Sequence, residues 1–315
     1  MRGRGTLTAG TSRPCRRIPA LDDRYAGVLL GLACGDALGA TTSFCERGSF
    51  VPLRDMIGGG VYGLQPGQWT DDTSMAMCLA ESLVACDGFD PLDQMRRYLR
   101  WYRHGEWSAK PFAFDIGQTT EHSLQSFEKA DTPWCGPTHP ITAGNGSLMR
   151  LGPVVLHYHP DVDAAVHFAG ESSRTTHGAA LAVEGCRLLA QVLSNLLRGL
   201  PKECCLEGAA SRVRAPRLRR MAEGAYQRKP PSRIHSSGYV VHTLEAALWC
   251  LHRSDSFEQA LLRAANLGDD ADTVAAVTGQ LAGAHFGASR IPRHWLQRLH
   301  RRDEIETLAL CLRRL

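Results

Sequence analysis

Two acidic stretches hold the residue types best suited to chemistry in this chain. Thr70, Asp71, Asp72 and Thr73 stand just before the apolar run 75–86, and far along the sequence Asp269, Asp270, Asp272 and Thr273 stand before the Ala-rich run 274–286. One aspartate at a helix start has a plain explanation, because the first turn leaves N–H groups unpaired at the positive end of the helix dipole. Taken singly, each stretch fits that explanation as well as a functional one. Taken together they offer only hard oxygen donors, carboxylates with threonine hydroxyls, a set that suits Mg2+ or Mn2+ better than Zn2+. Two adjacent acids can face different ions, which is how few carboxylates hold a pair of cations. A shared metal site is therefore expected.

Other signatures fail. Gly58-Gly-Gly-Val-Tyr-Gly63 spells a dinucleotide-binding pattern, but no strand precedes it and Leu64-Gln-Pro-Gly67 opens no helix. The chain has no Walker A loop, no H-E-x-x-H, no G-x-S-x-G, no Glu-x-x-His pair of the di-iron bundles and no His-Asp dipeptide.

The elements that must position these acids read as helices. Apolar residues recur at i, i+3 and i+4 over 75–86, 91–103, 162–169, 179–197, 243–252, 257–266, 274–286 and 304–314, and no segment alternates as a strand would. The expected fold is all-α, one compact multi-helix domain over 23–300, with residues 1–22 a disordered basic tail and 301–315 a C-terminal helix. Gly27, Gly31, Gly35 and Gly39 recur every four residues, a side-chain-free ridge along which another backbone could approach. The stretch 198–233 holds ten Lys and Arg against three Glu, with four prolines, and 198–236 is expected to be a partly irregular, solvated insertion.

A net charge of +4 over 315 residues gives no argument for nucleic acid, and the 16-residue run YAGVLLGLACGDALGA is too short to span a membrane. Eleven cysteines without a C-x-x-C pair suggest free thiols in a reducing compartment, the cytoplasm by default. A monomer is the expectation.

The segments GLACGDALGA, PGQWTDDTSM, FDIGQT (114–119), AGNGSLMR (143–150), RTTH (174–177) and NLGDDADTVAAVTGQLAGAHFG (266–287) resemble, in order and spacing, the ADP-ribosylglycohydrolase family over about residues 24–300. The likeness is nearest to the bacterial branch that removes ADP-ribose from an arginine of dinitrogenase reductase. It implies an all-α domain with two Mg2+ (or Mn2+) ions at the bottom of a cleft that holds the ribose beside the scissile bond. By that resemblance Thr70, Asp71, Asp72, Asp270, Asp272 and Thr273 are the metal ligands, and Asp269 is an extra acid outside the set. Asp115 and Gly117 match positions near the ribose and the leaving side chain. Asn145, Gly146 and Ser147 match a loop that wraps the diphosphate through backbone N–H groups. His177 matches a histidine lining the site and Tyr239 an aromatic covering the ligand.

Each residue also has a bland reading: Asp115 as a cap for a helix beginning near Ile116, Asn145-Gly146 as a turn, His177 as a structural hydrogen-bonder, Tyr239 as core. Asp36 is either a buried acid supporting the site or the end of a helix face. The departure from the family is Ser43, where relatives commonly carry a Glu thought to contact the metal or the attacking water. If 41–46 forms a helical turn, Glu46 shares a face with Ser43 and could substitute as a catalytic carboxylate beside Asp115. The function implied is hydrolysis of the bond between ADP-ribose and an acceptor, on a protein or a small molecule. The alternatives are an ADP-ribose-binding sensor or immunity-type protein with little turnover, and a helical Mg2+ hydrolase of phosphate esters.

Overall fold

The computed structural model describes residues 18–313; most of the expected basic tail, residues 1–17, lies outside the described residues. Thirteen α-helices are present among them: α1 (Leu21–Gly39), α2 (Asp71–Ala85), α3 (Pro91–His104), α4 (Gln118–Ala130), α5 (Gly152–Tyr158), α6 (Val162–Arg174), α7 (Ala180–Leu197), α8 (Pro216–Ala222), α9 (Val240–His252), α10 (Phe257–Ala265), α11 (Ala271–Phe286), α12 (Arg293–Arg298) and α13 (Arg302–Cys311). Among the described residues the only β pairing is two isolated bridges, Gly59 with Leu64 and Gly144 with Tyr239. The all-α expectation holds. The first helix begins at Leu21, so residues 21 and 22 belong to the fold rather than to a tail.

The glycine ridge decides the architecture. A Cβ built on Gly27 would lie 2.5 Å from the carbonyl oxygen of Gly283, and on Gly31, Gly35 or Gly39 nearer still to the carbonyls of Gly279, Ala275 and Ala271. The partners run in reverse order, so α1 and α11 are antiparallel, in contact backbone to backbone. Gly279 and Gly283 complete the fit from the other side, meeting the carbonyls of Gly31 and Gly27. The consequence is positional: the C-terminal end of α1, with Asp36, lies against the N-terminal end of α11, with Asp272.

Other helices close around this pair. Helix α3 shows the local logic: Asp90 accepts from the N–H groups of Leu92 and Asp93, Pro91 occupies the first turn, and Gly105 ends the helix in left-handed conformation. Its Met95, Tyr98 and Trp101 point into the core. Helix α7 is long and apolar enough to cross a membrane, and most of it is buried among the other helices. Ile305 and Ala309 of α13 are also core residues, so the C-terminal helix is part of the domain.

The segment 198–236 departs from expectation. It is irregular, with short 3-10 turns around α8, but it is no solvated loop: Cys205, Val213, Leu218, Met221 and Tyr226 are buried in the core. Lys202 turns inward and donates to the carbonyls of Leu251 and His252, the last residues of α9, and of Ser254 just past it. Exposed arginines mask an apolar face. All ten described cysteines are free thiols.

Candidate active site

Asp36 organises the first acidic stretch from a distance. Fully buried on α1, it accepts from the Thr70 N–H and hydroxyl at 2.9 Å each, and from the Thr73 N–H at 2.9 Å and hydroxyl at 2.6 Å. The start of α2 is thus capped by another helix, and its own acids are spared. No side chain at the N-cap of α2 or of α11 makes a capping bond. Among the described residues the one first-turn N–H taken by these acids is that of Thr273, which Oδ1 of Asp272 accepts at 2.9 Å, so capping does not account for the remaining acids.

The stretches meet. The Thr273 hydroxyl lies 3.5 Å from Oδ2 of Asp72, which the Thr70 hydroxyl approaches at 3.2 Å. Ser43, buried, donates to Oδ1 of Asp272 at 2.7 Å, and Asn145 donates its amide to Oδ2 of Asp270. Asp269 stands apart: exposed, it accepts from the Ser236 hydroxyl, while its backbone pairs with Phe44 and Cys45 to pin the loop.

Asp36, Asp71, Asp72, Asp115, Asp270 and Asp272 thus form one cluster of mutually interacting carboxyls, and among the described residues no Lys or Arg pairs with any of them. The charges strain against each other. Burial, then the charge of Asp115 for Asp71 and of Asp36 for Asp72, pushes both carboxyls well above the usual range. Burial and Asp272 raise Asp270 to about 8, and burial brings Asp36 to about 7 against the pull of its donated hydrogen bonds. Oδ1 of Asp72 and Oδ2 of Asp115 are buried without a hydrogen-bond partner. Buried carboxylate oxygens that no donor satisfies are costly, and an all-oxygen set of this kind fits a bound divalent cation. No three acidic, His or Cys side chains among the described residues already converge as a ready ligand cage; a cation here would draw on threonine hydroxyls, water or substrate oxygens as well.

Asp115 sits before α4 with φ 62°, a left-handed conformation that Asp tolerates. It does not cap α4, whose N-cap is Gly117 without a side-chain bond. Instead Oδ1 accepts from the Tyr62 hydroxyl at 2.5 Å, and burial followed by the charge of Asp272 raises the carboxyl to about 8. Sequence reasoning missed Tyr62; its one signal was a tyrosine inside the glycine-rich loop dismissed as a false dinucleotide motif.

On the opposite side Asn145 is held by the Gly238 carbonyl and donates to Thr243, while Gly144 bridges Tyr239. The amides of Gly146 and Ser147 have no partner among the described residues. Gly146 lies against the His177 ring, where a Cβ would be 2.7 Å from Cε1. The Ser147 hydroxyl turns inward and accepts from Ser173, so only its backbone can serve a ligand. Tyr239 is half-buried at the edge, its hydroxyl 3.4 Å from Arg217, rather than core.

Glu46 is not brought to this cluster. Phe44 has φ 63°, which breaks the helical turn required over 41–46; Ser43 points inward and Glu46 is exposed. The shared face does not exist.

Fold and site together define an all-helical protein with an acidic cluster where the N-terminal ends of α2 and α11 meet, α11 packed on α1 along the glycine ridge and α2 held to α1 by Asp36. Residues 17–315 match the ADP-ribosylglycohydrolase model, and the chain belongs to that family. It is 45% identical over 300 residues to ADP-ribosylarginine hydrolase Tri1 of Pseudomonas putida (95% of this chain, 80% of the relative). It is 34% identical over 295 residues to the ADP-ribosyl-[dinitrogen reductase] glycohydrolase of Rhodospirillum rubrum (91% and 94%). A solved structure described as an ADP-ribosylglycohydrolase-related protein complex superposes with a TM-score of 0.81 at 46% identity, covering 93% of this chain and 97% of that one.

Proposed function

We propose that this protein hydrolyses the glycosidic bond between C1 of ADP-ribose and an arginine side chain of a modified protein, in a reaction that depends on divalent cations. The observation that carries the reading is the cluster of carboxylates that no Lys or Arg pairs among the described residues, two of their oxygens buried without a hydrogen-bond partner, where the starts of α2 and α11 meet. Thr70, Asp71, Asp72, Asp270, Asp272 and Thr273 would hold Mg2+ or Mn2+. Bound there, such ions supply charge that fixes the ribose hydroxyls and stabilises the developing transition state.

The chain's own groups do the rest. The free amides of Gly146 and Ser147 bind the diphosphate, and Tyr239 covers the ligand at the cleft edge. Asp115, held by Tyr62, has Oδ2 available to orient the attacking water and, ionised once cation charge offsets the burial and neighbouring carboxylates that raise it, would take that water's proton as the C1–N bond breaks and its electron pair leaves with the guanidine. Two 40-odd-percent identical relatives named as ADP-ribosylarginine hydrolases support arginine as the acceptor. The test is release of ADP-ribose from arginine-linked and serine-linked peptides, with Mg2+ and with EDTA: arginine-specific, EDTA-sensitive release supports the reading, and faster serine release overturns the acceptor. A second reading, an ADP-ribose binder with little turnover, rests on Ser43 occupying the site of the expected carboxylate.

A further inference from the structure

Behind the diphosphate loop lies a buried cation that the reaction does not use. Arg150 is fully buried and no acid pairs with it among the described residues. Its guanidinium lies 4.4 Å from the centroid of the Tyr98 ring, Nη1 is 3.6 Å from Sδ of Met75, and Nη2 donates to the Thr176 hydroxyl at 2.6 Å. The Thr176 oxygen lies 2.9 Å from Nδ1 of His177.

Donor counting fixes the protons. A guanidinium has donors and no acceptor, so the Thr176 oxygen accepts from Arg150. The hydroxyl owns one proton, and His177 Nδ1 is the remaining group within reach of it. Were Nδ1 itself protonated, the buried Thr176 hydroxyl would have no acceptor, an expensive arrangement. Nδ1 is therefore the acceptor, and the proton of the neutral ring resides on Nε2. Burial, reinforced by the nearby Arg150 charge, keeps the ring neutral by lowering its pKa to about 3. Nε2 has no partner among the described residues and faces the diphosphate loop, 3.1 Å from where a Cβ on Gly146 would stand.

We propose that Arg150 and Thr176 are positioning residues that lock His177 in its Nε2–H tautomer, so that this N–H joins the Gly146 and Ser147 amides as a third donor to the diphosphate. The inference rests on the reading that the cleft binds ADP-ribose. The unpaired Arg150 charge also lies behind the three donors, where it favours an anion.

The test combines 15N NMR of the histidine rings in the full chain with titration of ADP-ribose. Wild type should show His177 as Nε2–H. Thr176→Val should populate the Nδ1–H form and weaken ADP-ribose binding about ten-fold, and Thr176→Ser should restore both. Arg150→Met should act in the same direction; if it fails to fold, Thr176→Val still decides. An Nε2–H ring that persists in Thr176→Val overturns the relay. A tautomer that shifts while ADP-ribose affinity stays unchanged overturns its link to the ligand and leaves the glycohydrolase reading standing. Wild type that binds no ADP-ribose at all, with the tautomer as assigned, overturns that reading and the ligand role together.

Discussion

Ser43 donates a 2.7 Å hydrogen bond to Oδ1 of Asp272, joining the end of α1 to the start of α11 inside the acidic floor. Its hydroxyl is one of few donors serving that floor. Ser43→Ala should lower the stability of the metal-free protein by about 0.5–1.5 kcal/mol, the net worth of one hydrogen bond, since Oδ1 of Asp272 keeps the Thr273 N–H at 2.9 Å. Ser43→Glu adds a further carboxylate, so its metal-free melting temperature should fall further and its rise on adding Mg2+ should exceed that of wild type. Thermal melts with and without Mg2+ check both. Because Glu46 is exposed on the far side of Phe44, Glu46→Gln should leave the single-turnover rate within about two-fold, far from the ~10²–10⁴ cost of losing a general base.

The contact of α1 with α11 predicts a steep stability effect. A Cβ on Gly35 would penetrate the Ala275 carbonyl, and no flexible side chain is there to move aside. Gly35→Ala should cost at least about 3 kcal/mol in urea unfolding. Gly117→Ala is the control: no atom lies within 4 Å of its Cβ position, and its stability should change by no more than about 1 kcal/mol.

Much of this was legible in residue types. Repetition of acids before Ala-rich runs marked both halves of the site, and the four-residue glycine spacing announced the close helix contact that brings them together. What misled was local. Phe44 in a left-handed conformation cannot be read from its type, since a bulky residue disfavours it, and that single dihedral removes Glu46 from the site. In 198–236 the arginines concealed Leu218, Met221 and Tyr226, whose burial depends on helices far away in sequence. Tyr62 reaches Asp115 across a loop whose path no periodicity encodes.

The raised carboxyls give a pH dependence with a definite sign. Asp36 near 7 and Asp115 and Asp270 near 8 hold protons in the folded state well above the ordinary Asp value, near 4, of the unfolded chain. Between about pH 4 and 8 the folded state binds more protons, so metal-free stability should fall as pH rises through that window. Saturating Mg2+ should flatten the fall. Urea midpoints at pH 5, 6.5 and 8, in EDTA and in Mg2+, measure this; a metal-free stability that rises across the window contradicts it.

Asp115 and Tyr62 separate catalysis from folding. Asn tolerates the left-handed backbone at 115, so Asp115→Asn should fold and bind ADP-ribose while its rate drops about 10²–10⁴-fold. Tyr62→Phe removes only the hydrogen bond that orients the carboxyl and should cost about ten-fold. Equal losses of binding and rate in both variants would assign them to the fold instead.

The central claim is that the two acidic helix starts form one cation-dependent glycohydrolase site, and the most direct measurement is single-turnover release of ADP-ribose from an arginine-linked peptide by wild type, Asp72→Asn and Asp272→Asn, each in Mg2+ and in EDTA. The expected result is release by wild type in Mg2+ alone, with both variants reduced to the EDTA level although the substitutions lie on different helices. Release at equal rates in Mg2+ and EDTA, or a variant of one stretch that keeps the wild-type rate, would contradict it.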